Sequence, residues 1–274
     1  MAMARAFLCL VSLLTATSIS SAQSDDRKGR RSATMPSRDR DKILPTLPDI
    51  RVFLDKPTDR FLVDLNVVRT GHPYKGKNAQ RPHTGGHIYF RLPEKPIPAK
   101  EVDRFPAIYA VADGVISRVD TSFRLREVYV SAIGRRVANT RYGIGLLFAA
   151  SGGRAVDMHY SIEPFVDPGD DKFYERFIFV KVGQRVKKGD VIARMYLPSN
   201  LDVAQNTHIH FNLNGGKNHT FQSPSIFDTK IVKRFQATWN QRHGADGGAP
   251  IPPCMGYKLT PQENPFGSGA KDAL

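Results

Sequence analysis

The stretch VKVGQRVKKGDVIA, residues 180–193, contains the clearest indication of the fold. Apolar residues alternate with polar ones around Gly183 and Gly189, and glycine is suited to the tight turns that join short strands. The valines and Ile192 between these glycines would fill the interior of a small sheet or barrel. The stretch therefore predicts short paired strands with one buried side.

Short apolar runs of this kind recur along most of the chain. Gly, Pro, Asn or Asp separates most of them, and no long helical period interrupts the series, which favours an antiparallel sheet over βαβ units. A β-rich region is expected to begin in RFLVDLNVVR, residues 60–69. The further predicted strands are 88–92, 107–112, 114–119, 127–132, 145–150, 155–160, 177–182, 190–196 and 208–213.

One helix is predicted late in the chain, at 228–243. Asp228 is a suitable N-cap, Ile231, Phe235 and Trp239 recur every four residues, and RHG at 242–244 gives a basic end and a stop. The apolar stripe should pack against the outside of the sheet.

The first 22 residues are expected to form a secretory signal peptide. Arg5 precedes an apolar run that is far shorter than the roughly 20 residues of a membrane span, and small residues lead to Ala22. The protein is therefore expected to be secreted or periplasmic, with no transmembrane span. Cys9 would leave with this peptide, so Cys254 alone could form no intrachain disulfide.

The rest of the chain divides by composition into four parts. Residues 23–45 are basic and poor in apolar residues, which predicts a disordered leader. A β-rich lead-in at 46–80 precedes the main domain at 81–243, and a Gly/Pro-rich tail is expected at 244–274.

The formal net charge of +14 bears on the partners of the protein. For an exported protein, anionic wall polymers, lipid head groups or acidic glycans are the expected partners, and a role in solubility alone remains open. Helix-turn-helix, zinc-finger and P-loop signatures are absent from the sequence, so nucleic acid is not expected.

Two histidine clusters are candidates for metal chemistry. His208 and His210 are two residues apart and share one face of a strand, about 7 Å apart along the backbone. His83 and His87 flank Gly85-Gly86, which would permit a bend that brings both rings together. Imidazole is a common zinc ligand, and a catalytic zinc typically has three protein ligands and an open position.

The order of several motifs gives these clusters a context. HTGGH, AIYAVADGVISRV, RYGIGLLFA, MHYSI, VKVGQRVKKGDVIA and THIHF occur within residues 82–214, about half of the chain. In this order they resemble the lysostaphin-type, or LytM-like, zinc endopeptidases, which hydrolyse peptidoglycan. The resemblance implies a mainly β fold, with an antiparallel sheet or small barrel-sandwich of the duplicated hybrid motif type and one C-terminal helix.

The same resemblance implies a site and a reaction. Its zinc ligands would be His83, His87 and His210, while His159 and His208 would flank the reacting water as catalytic residues in peptide-bond hydrolysis. His87 stands where the family has aspartate. An all-histidine site lacks an anionic protein ligand, which should make zinc more electrophilic, yet the change could equally mark a weakened or repurposed site.

Two other functions remain open from the sequence. One is a noncatalytic LytM-like binding or regulatory module that activates other cell-wall hydrolases, although all the family's histidine positions are filled here. The other is a biotinyl- or lipoyl-type carrier, which shares the hairpin at 180–193 but requires an attachment lysine motif that the sequence lacks.

Several remaining residues receive structural interpretations. An insertion at 163–176 contains Asp167, Asp170 and Asp171, whose Pro-Gly-Asp-Asp context predicts a turn rather than a calcium or substrate loop. Tyr142 and Tyr160 are expected in the core, with substrate contact as the alternative. The histidines at no family position, His72, His219 and His243, are interpreted as surface residues.

Overall fold

The computed structural model describes residues 31–73, 85–124, 127–165, 172–215, 220–221 and 226–238. Strands dominate these residues, and the helices are short. The strands are β1 Arg31–Thr34, β2 Val68–Pro73, β3 Gly85–Phe90, β4 Ala107–Tyr109, β5 Gly114–Arg124, β6 Val128–Val130, β7 Arg135–Val137, β8 Thr140–Ser151, β9 Arg154–Glu163, β10 Arg185–Val186, β11 Val191–Arg194, β12 His208–Gly215 and β13 Thr220–Phe221. The α-helices are α1 Ser37–Ile43, α2 Val52–Asp55, α3 Leu201–Ala204 and α4 Thr229–Gln236.

One large antiparallel sheet organises the molecule. Its strand order is β1-β5-β8-β9-β12-β3-β2, β10 and β13 pair with β5 and β12, and the pairs β4/β11 and β6/β7 form two small sheets. The mainly β, antiparallel prediction is confirmed. Within the described residues the large sheet has free edges at β1 and β2, so its strands do not close into a barrel.

Strict alternation along the central strands creates the core. In β9, Val156, Met158, Tyr160 and Ile162 are fully buried on one face. The intervening side chains, from Asp157 to Glu163, therefore lie on the opposite face, because successive strand residues point to opposite sides. The apolar face packs against aromatic rings from outside the central strands, including Phe61, Phe227 and Phe235.

The two glycines of residues 180–193 form the turns that the sequence predicts. Gly183 and Gly189 have φ angles of 84° and 92°, in the region that favours glycine. Their turns bring β10 against β5 and β11 against β4, and Val186 and Ile192 are buried. The neighbouring prediction of a strand at 177–182 is wrong, since only an isolated bridge from Ile178 to Ala193 forms there.

The apolar run at 60–69 is buried but is not a strand until its end. Phe61, Leu62 and Val63 lie in the core as irregular backbone, and the Tyr109 N–H donates to the Leu62 carbonyl at 2.8 Å. A short 3-10 turn at Leu65–Val67 then leads into β2. The apolar residues at 61–63 reflect burial and not strand structure, and the expected β structure begins only at Val68.

The segment 31–45 is folded, which contradicts the expected disorder of the leader over these residues. β1 pairs with β5, Met35 is buried, and the Arg40 Nη2 lies 2.6 Å from Asp157 Oδ2. Backbone pairing at a sheet edge and one ion pair thus supply the stabilisation that the polar composition lacks. The predicted signal peptide and the leader up to residue 30 lie outside the described residues.

Helix α4 begins where the sequence predicts. The Asp228 carboxylate accepts a hydrogen bond from the Lys230 N–H at 2.7 Å, and Phe235 is fully buried against Phe61 and Phe211. Trp239 and the rest of the predicted helix lie outside the described residues, as does the predicted tail. None of the described helices is long and apolar enough to cross a membrane.

Candidate metal centre

The polar face of the sheet collects the candidate histidines. Opposed residues in paired strands lie on the same face, and His210 is opposite both His87 on β3 and Ser161 on β9. His208, two residues earlier on β12, is opposite Tyr89 and Glu163. The alternation that buries Ile209 and Phe211 therefore places both histidines of H-x-H on the face away from the core.

Three histidines approach one another closely enough to share a metal ion. One ring nitrogen from each of His87, His208 and His210 lies within 4.8 Å of the other two. The His87 and His210 ring centroids are 3.7 Å apart, and His208 lies 5.4 Å and 5.0 Å from these two rings. Ligand nitrogens at a zinc–nitrogen distance of about 2.0–2.1 Å are about 3.3 Å apart, which small side-chain rotations would reach from this arrangement.

Among the described residues, this grouping contains two members of the expected ligand set. His87 and His210 lie close together, while His83 lies outside the described residues. His208, which the family resemblance assigns to catalysis, is the third histidine near the other two. Its contacts therefore bear directly on its role.

His208 is buried and contacted at both ring nitrogens. Its Nδ1 donates to the Asn206 carbonyl oxygen at 2.7 Å, and its Nε2 lies 3.4 Å from Glu163 Oε2. Glu163 is itself buried, and Asn139 Nδ2 donates to the same oxygen at 2.8 Å. A chain of polar contacts thus runs from Asn139 through Glu163 to His208.

Two aromatic residues enclose His208. The Tyr89 ring is 5.0 Å away and tilted by 30°, and the Phe165 ring is 6.1 Å away. Burial, and secondly the nearby Glu163 carboxylate, raises the pKa of Tyr89 to about 12, so the phenol stays protonated at neutral pH. Phe165 holds a φ of 55°, which is uncommon for a bulky residue and often occurs beside functional sites.

His159 lies one step along the sheet from the three-histidine group. It is opposite Asn212 and two residues before Ser161, which makes it a diagonal neighbour of His210, about 7–8 Å away at Cα. Burial, with the charges of Arg118 and Arg141, lowers the pKa of His159 to about 4. His159 is therefore a neutral imidazole at pH 7, with one nitrogen that can donate a hydrogen bond and one that can accept one.

Ser161 provides an independent indication of a ligand site. It is 2% exposed, and its Oγ has no hydrogen-bond partner among the described residues. Buried hydroxyls are rarely left unpaired, and exceptions often mark missing water, ions or substrate. Together with the three neighbouring imidazoles, this hydroxyl fits a site for a metal ion and a small polar ligand.

The site includes residues that sequence reasoning missed. Tyr89 lies on the same face of β3 as His87, and Glu163 lies on the same face of β9 as His159. Because every second residue of a strand shares a face, counting along the strand from either histidine could have found them. Asn139 precedes β8 and had no such signal. The register also places His72 opposite His87 on β2, whereas His219, His243 and the insertion aspartates Asp167, Asp170 and Asp171 lie outside the described residues.

The two tyrosines with alternative interpretations belong to the core. Tyr142 and Tyr160 are fully buried, and Tyr142 stacks on Tyr174 with ring centroids 4.2 Å apart. The Tyr160 hydroxyl accepts a hydrogen bond from the Val111 N–H at 3.1 Å. Core packing therefore accounts for both.

Comparison with known proteins gives distant similarities among solved structures. No protein-family model and no curated protein matches the sequence. The chain is similar to the deep-sea M23 metalloprotease pseudoalterin, with a TM-score of 0.30 and 13% identity over 62% of this chain and 73% of that one. It is also similar to the antimicrobial peptidase lysostaphin from Staphylococcus simulans, with a TM-score of 0.30 and 17% identity over 66% of this chain, and spans 55% of that chain.

Proposed function

We propose that the protein is a secreted or periplasmic zinc metallopeptidase that hydrolyses peptide bonds, with peptidoglycan as its substrate. The observation that carries this proposal is the convergence of His87, His208 and His210 on one sheet face, with ring nitrogens within 4.8 Å of one another. The motif order of the sequence supports the reaction and substrate class. The positive net charge suits an anionic cell wall.

His87 and His210 would hold the ion, together with His83 or His208. Zinc bound there would acidify a water molecule and polarise the scissile carbonyl. His159 stays neutral at pH 7 because its pKa is low, and it would flank the reacting water as a hydrogen-bonding group that stabilises the transition state. The buried Ser161 hydroxyl would donate to a polar group of the substrate.

Metal content provides the first test of this proposal. The mature chain should retain about one zinc per molecule, and His210→Ala and His87→Ala should each lose most of it, because each removes a ligand of a site with few ligands. His243→Ala, from outside the predicted ligand set, is the matched control and should retain the ion. A metal-free wild type would contradict the enzymatic function.

Hydrolysis requires a separate test. Peptidoglycan incubated with the wild type should yield shortened peptides by mass spectrometry, and His159→Ala should reduce their rate of formation by about 100-fold or more while zinc remains bound. Unchanged peptidoglycan fragments from a zinc-loaded wild type would instead favour the noncatalytic regulatory module.

A further inference from the structure

The face of the sheet that carries the histidines continues beyond them to β8 and β5. Ser161 on β9 is opposite His210 on β12 and, on its other side, opposite Gly143 on β8. Gly143 is in turn opposite Asp120 on β5. Opposed residues in paired strands share a face, so this row runs from a candidate metal ligand across a residue without a side chain to a carboxylate.

Asp120 fixes an arginine on this row. The Arg118 Nε donates to Asp120 Oδ1 at 2.9 Å, and the Arg118 Nη2 lies 2.6 Å from Asp120 Oδ2. A Cβ on Gly143 would lie 2.8 Å from the same Oδ2, so the guanidinium group lies close to Gly143. The side chain of Asp120 is 3% exposed and that of Arg118 is 31% exposed. A buried carboxylate thus holds a partly exposed cation on the face that carries the histidines.

Arg118 and Ser161 both have hydrogen-bond donors to offer beside Gly143. The pair with Asp120 uses Nε and Nη2 of Arg118, and within the described part of the chain Nη1 contacts no acceptor. The Ser161 hydroxyl, on the other side of Gly143, is buried and has no partner among the described residues. A carboxylate accepts several hydrogen bonds and would satisfy both groups at once.

The charges in this region favour an anion. Burial lowers the pKa of His159, and Arg118 and Arg141 lower it further, each by more than Asp120 raises it. The side-chain charges that act on His159 are therefore positive in sum. A negatively charged group of a substrate would be attracted to this part of the face, and the attraction would be strong because the surroundings are partly buried.

We propose that Arg118 and Ser161 bind a carboxylate of the substrate, so that the preferred substrate is a peptide with a free carboxylate close to the scissile bond. This inference rests on the proposed function and names the substrate class of the same site. Ser161 lies one strand spacing, about 4.8 Å, from His210, and an extended peptide residue spans about 3.3–3.6 Å. The carboxylate would belong to a residue within about three positions of the bond cleaved at the metal. Asp120 is a positioning residue, since it acts through Arg118.

Hydrolysis of one probe in two chemical forms tests the proposal. Crosslinked peptides from peptidoglycan are prepared with their carboxylates free, and again with these carboxylates converted to carboxamides. The wild type should cleave the free-acid form with a kcat/KM at least about tenfold higher, because hydrogen bonds to charged groups are among the stronger ones. Ser161→Ala and the double variant Arg118→Met/Asp120→Asn should each reduce this ratio by about threefold or more.

The double variant and its control are matched in charge. Replacing Asp120 together with Arg118 avoids leaving a buried carboxylate without its cation, and net charge is unchanged. Arg51→Met/Asp49→Asn is the control, because Arg51 makes the same two hydrogen bonds to Asp49, at 2.9 Å each, on an exposed segment between α1 and α2. This control should keep the wild-type ratio. Equal losses on both forms of the probe in Ser161→Ala and in the Arg118 double variant would overturn the proposal.

Binding of the same probes to zinc-free protein separates this inference from the proposed function. Isothermal titration calorimetry with a chelator present should give a Kd about tenfold lower for the free-acid form, and both variants should reduce that difference. A wild type that prefers the free acid in binding but cleaves neither form would overturn the proposed function and leave the carboxylate site standing. A wild type that binds both forms equally, or neither, would overturn the carboxylate site.

Discussion

His159 lies on the polar face of β9, in an environment that disfavours its charged form. Its ring is partly buried beside Arg118 and Arg141, and its pKa falls from 6.5 to about 4. The folded state therefore binds fewer protons than the unfolded state between these pH values. Stability from this group is complete above pH 6.5 and is lost as pH falls toward 4.

We expect this linkage to appear in the metal-free protein. Between pH 7 and pH 4, the unfolding free energy of the wild type should fall by at most about 3 kcal/mol more than that of His159→Gln. Each pKa unit corresponds to about 1.4 kcal/mol, and partial exposure of the ring reduces the effect. Urea unfolding at several pH values in the presence of a chelator measures this difference. Parallel pH profiles for the two proteins would contradict the assigned environment.

Gly143 gives His159 the room that it occupies. A Cβ at this position would lie 2.8 Å from Asp120 Oδ2 and 3.3 Å from His159 Cε1. Gly143→Ala should therefore displace His159 and reduce peptide hydrolysis by about tenfold, with metal content unchanged, since small displacements of catalytic groups are costly. Unchanged hydrolysis in Gly143→Ala would argue against a role of His159 that depends on this packing.

At the scale of single residues, strand alternation made much of the site predictable. The H-x-H spacing placed His208 and His210 on one face, and the same rule applied to His159 would have reached Glu163. Asn139 could not be found in this way, because its contact with Glu163 depends on how two distant segments meet. The choice of the third ligand likewise depends on side-chain contacts that spacing does not encode.

At the scale of elements, the N-terminal segment β1–α1 is held to the sheet by few interactions. Arg40 on α1 reaches Asp157 on β9, and Ser117 Oγ donates to the other carboxylate oxygen at 3.1 Å. Burial raises the pKa of Asp157, while Arg40 and the Ser117 hydrogen bond oppose that increase. The segment was predicted to be disordered because composition reveals neither edge-strand pairing nor a specific ion pair.

Loss of the Arg40 charge should destabilise the fold. Arg40→Met should lower the unfolding free energy by about 1–3 kcal/mol at pH 7, because the buried Asp157 carboxylate loses its cation. The effect should shrink at low pH and in an Asp157→Asn background, where no charge needs pairing. Lys187→Met is the control, since its pair with Asp113 is largely exposed and should contribute less than about 1 kcal/mol. Denaturant unfolding of the wild type, Arg40→Met, Asp157→Asn and the double variant forms a mutant cycle, and additive effects would exclude coupling between Arg40 and Asp157.

At the scale of the whole molecule, one sheet separates the core from the candidate centre. The apolar face binds α4 and the aromatic residues, whereas the opposite face presents the histidines. The order of short strands and the turns at Gly183 and Gly189 made the antiparallel β architecture predictable. The open edges and the irregular but buried segment at 61–63 were not predictable, because hydrophobicity reports burial and not backbone conformation.

Metal binding to this face should stabilise the whole fold. Zinc at one hundred times its dissociation constant should add about 2.7 kcal/mol and raise Tm by roughly 5–10 °C for a domain of this size. Thermal unfolding with and without a chelator measures the shift. His210→Ala should show little of it, and Mg²⁺, which prefers oxygen ligands, should not replace zinc. An equal zinc-dependent shift in His210→Ala would point to binding elsewhere.

Because β12 lies in the middle of the sheet, deuterium exchange of its backbone amides and exchange of a metal ion bound at its side chains should occur at different rates. This strand is paired on one side with β3 and on the other with β9. Its backbone amide hydrogens can exchange with deuterium only when strands separate, an opening that approaches global unfolding in cost. A bound ion needs only rotation of imidazole side chains to depart. Metal turnover at His210 should consequently be far faster than deuterium uptake by the strand that carries it.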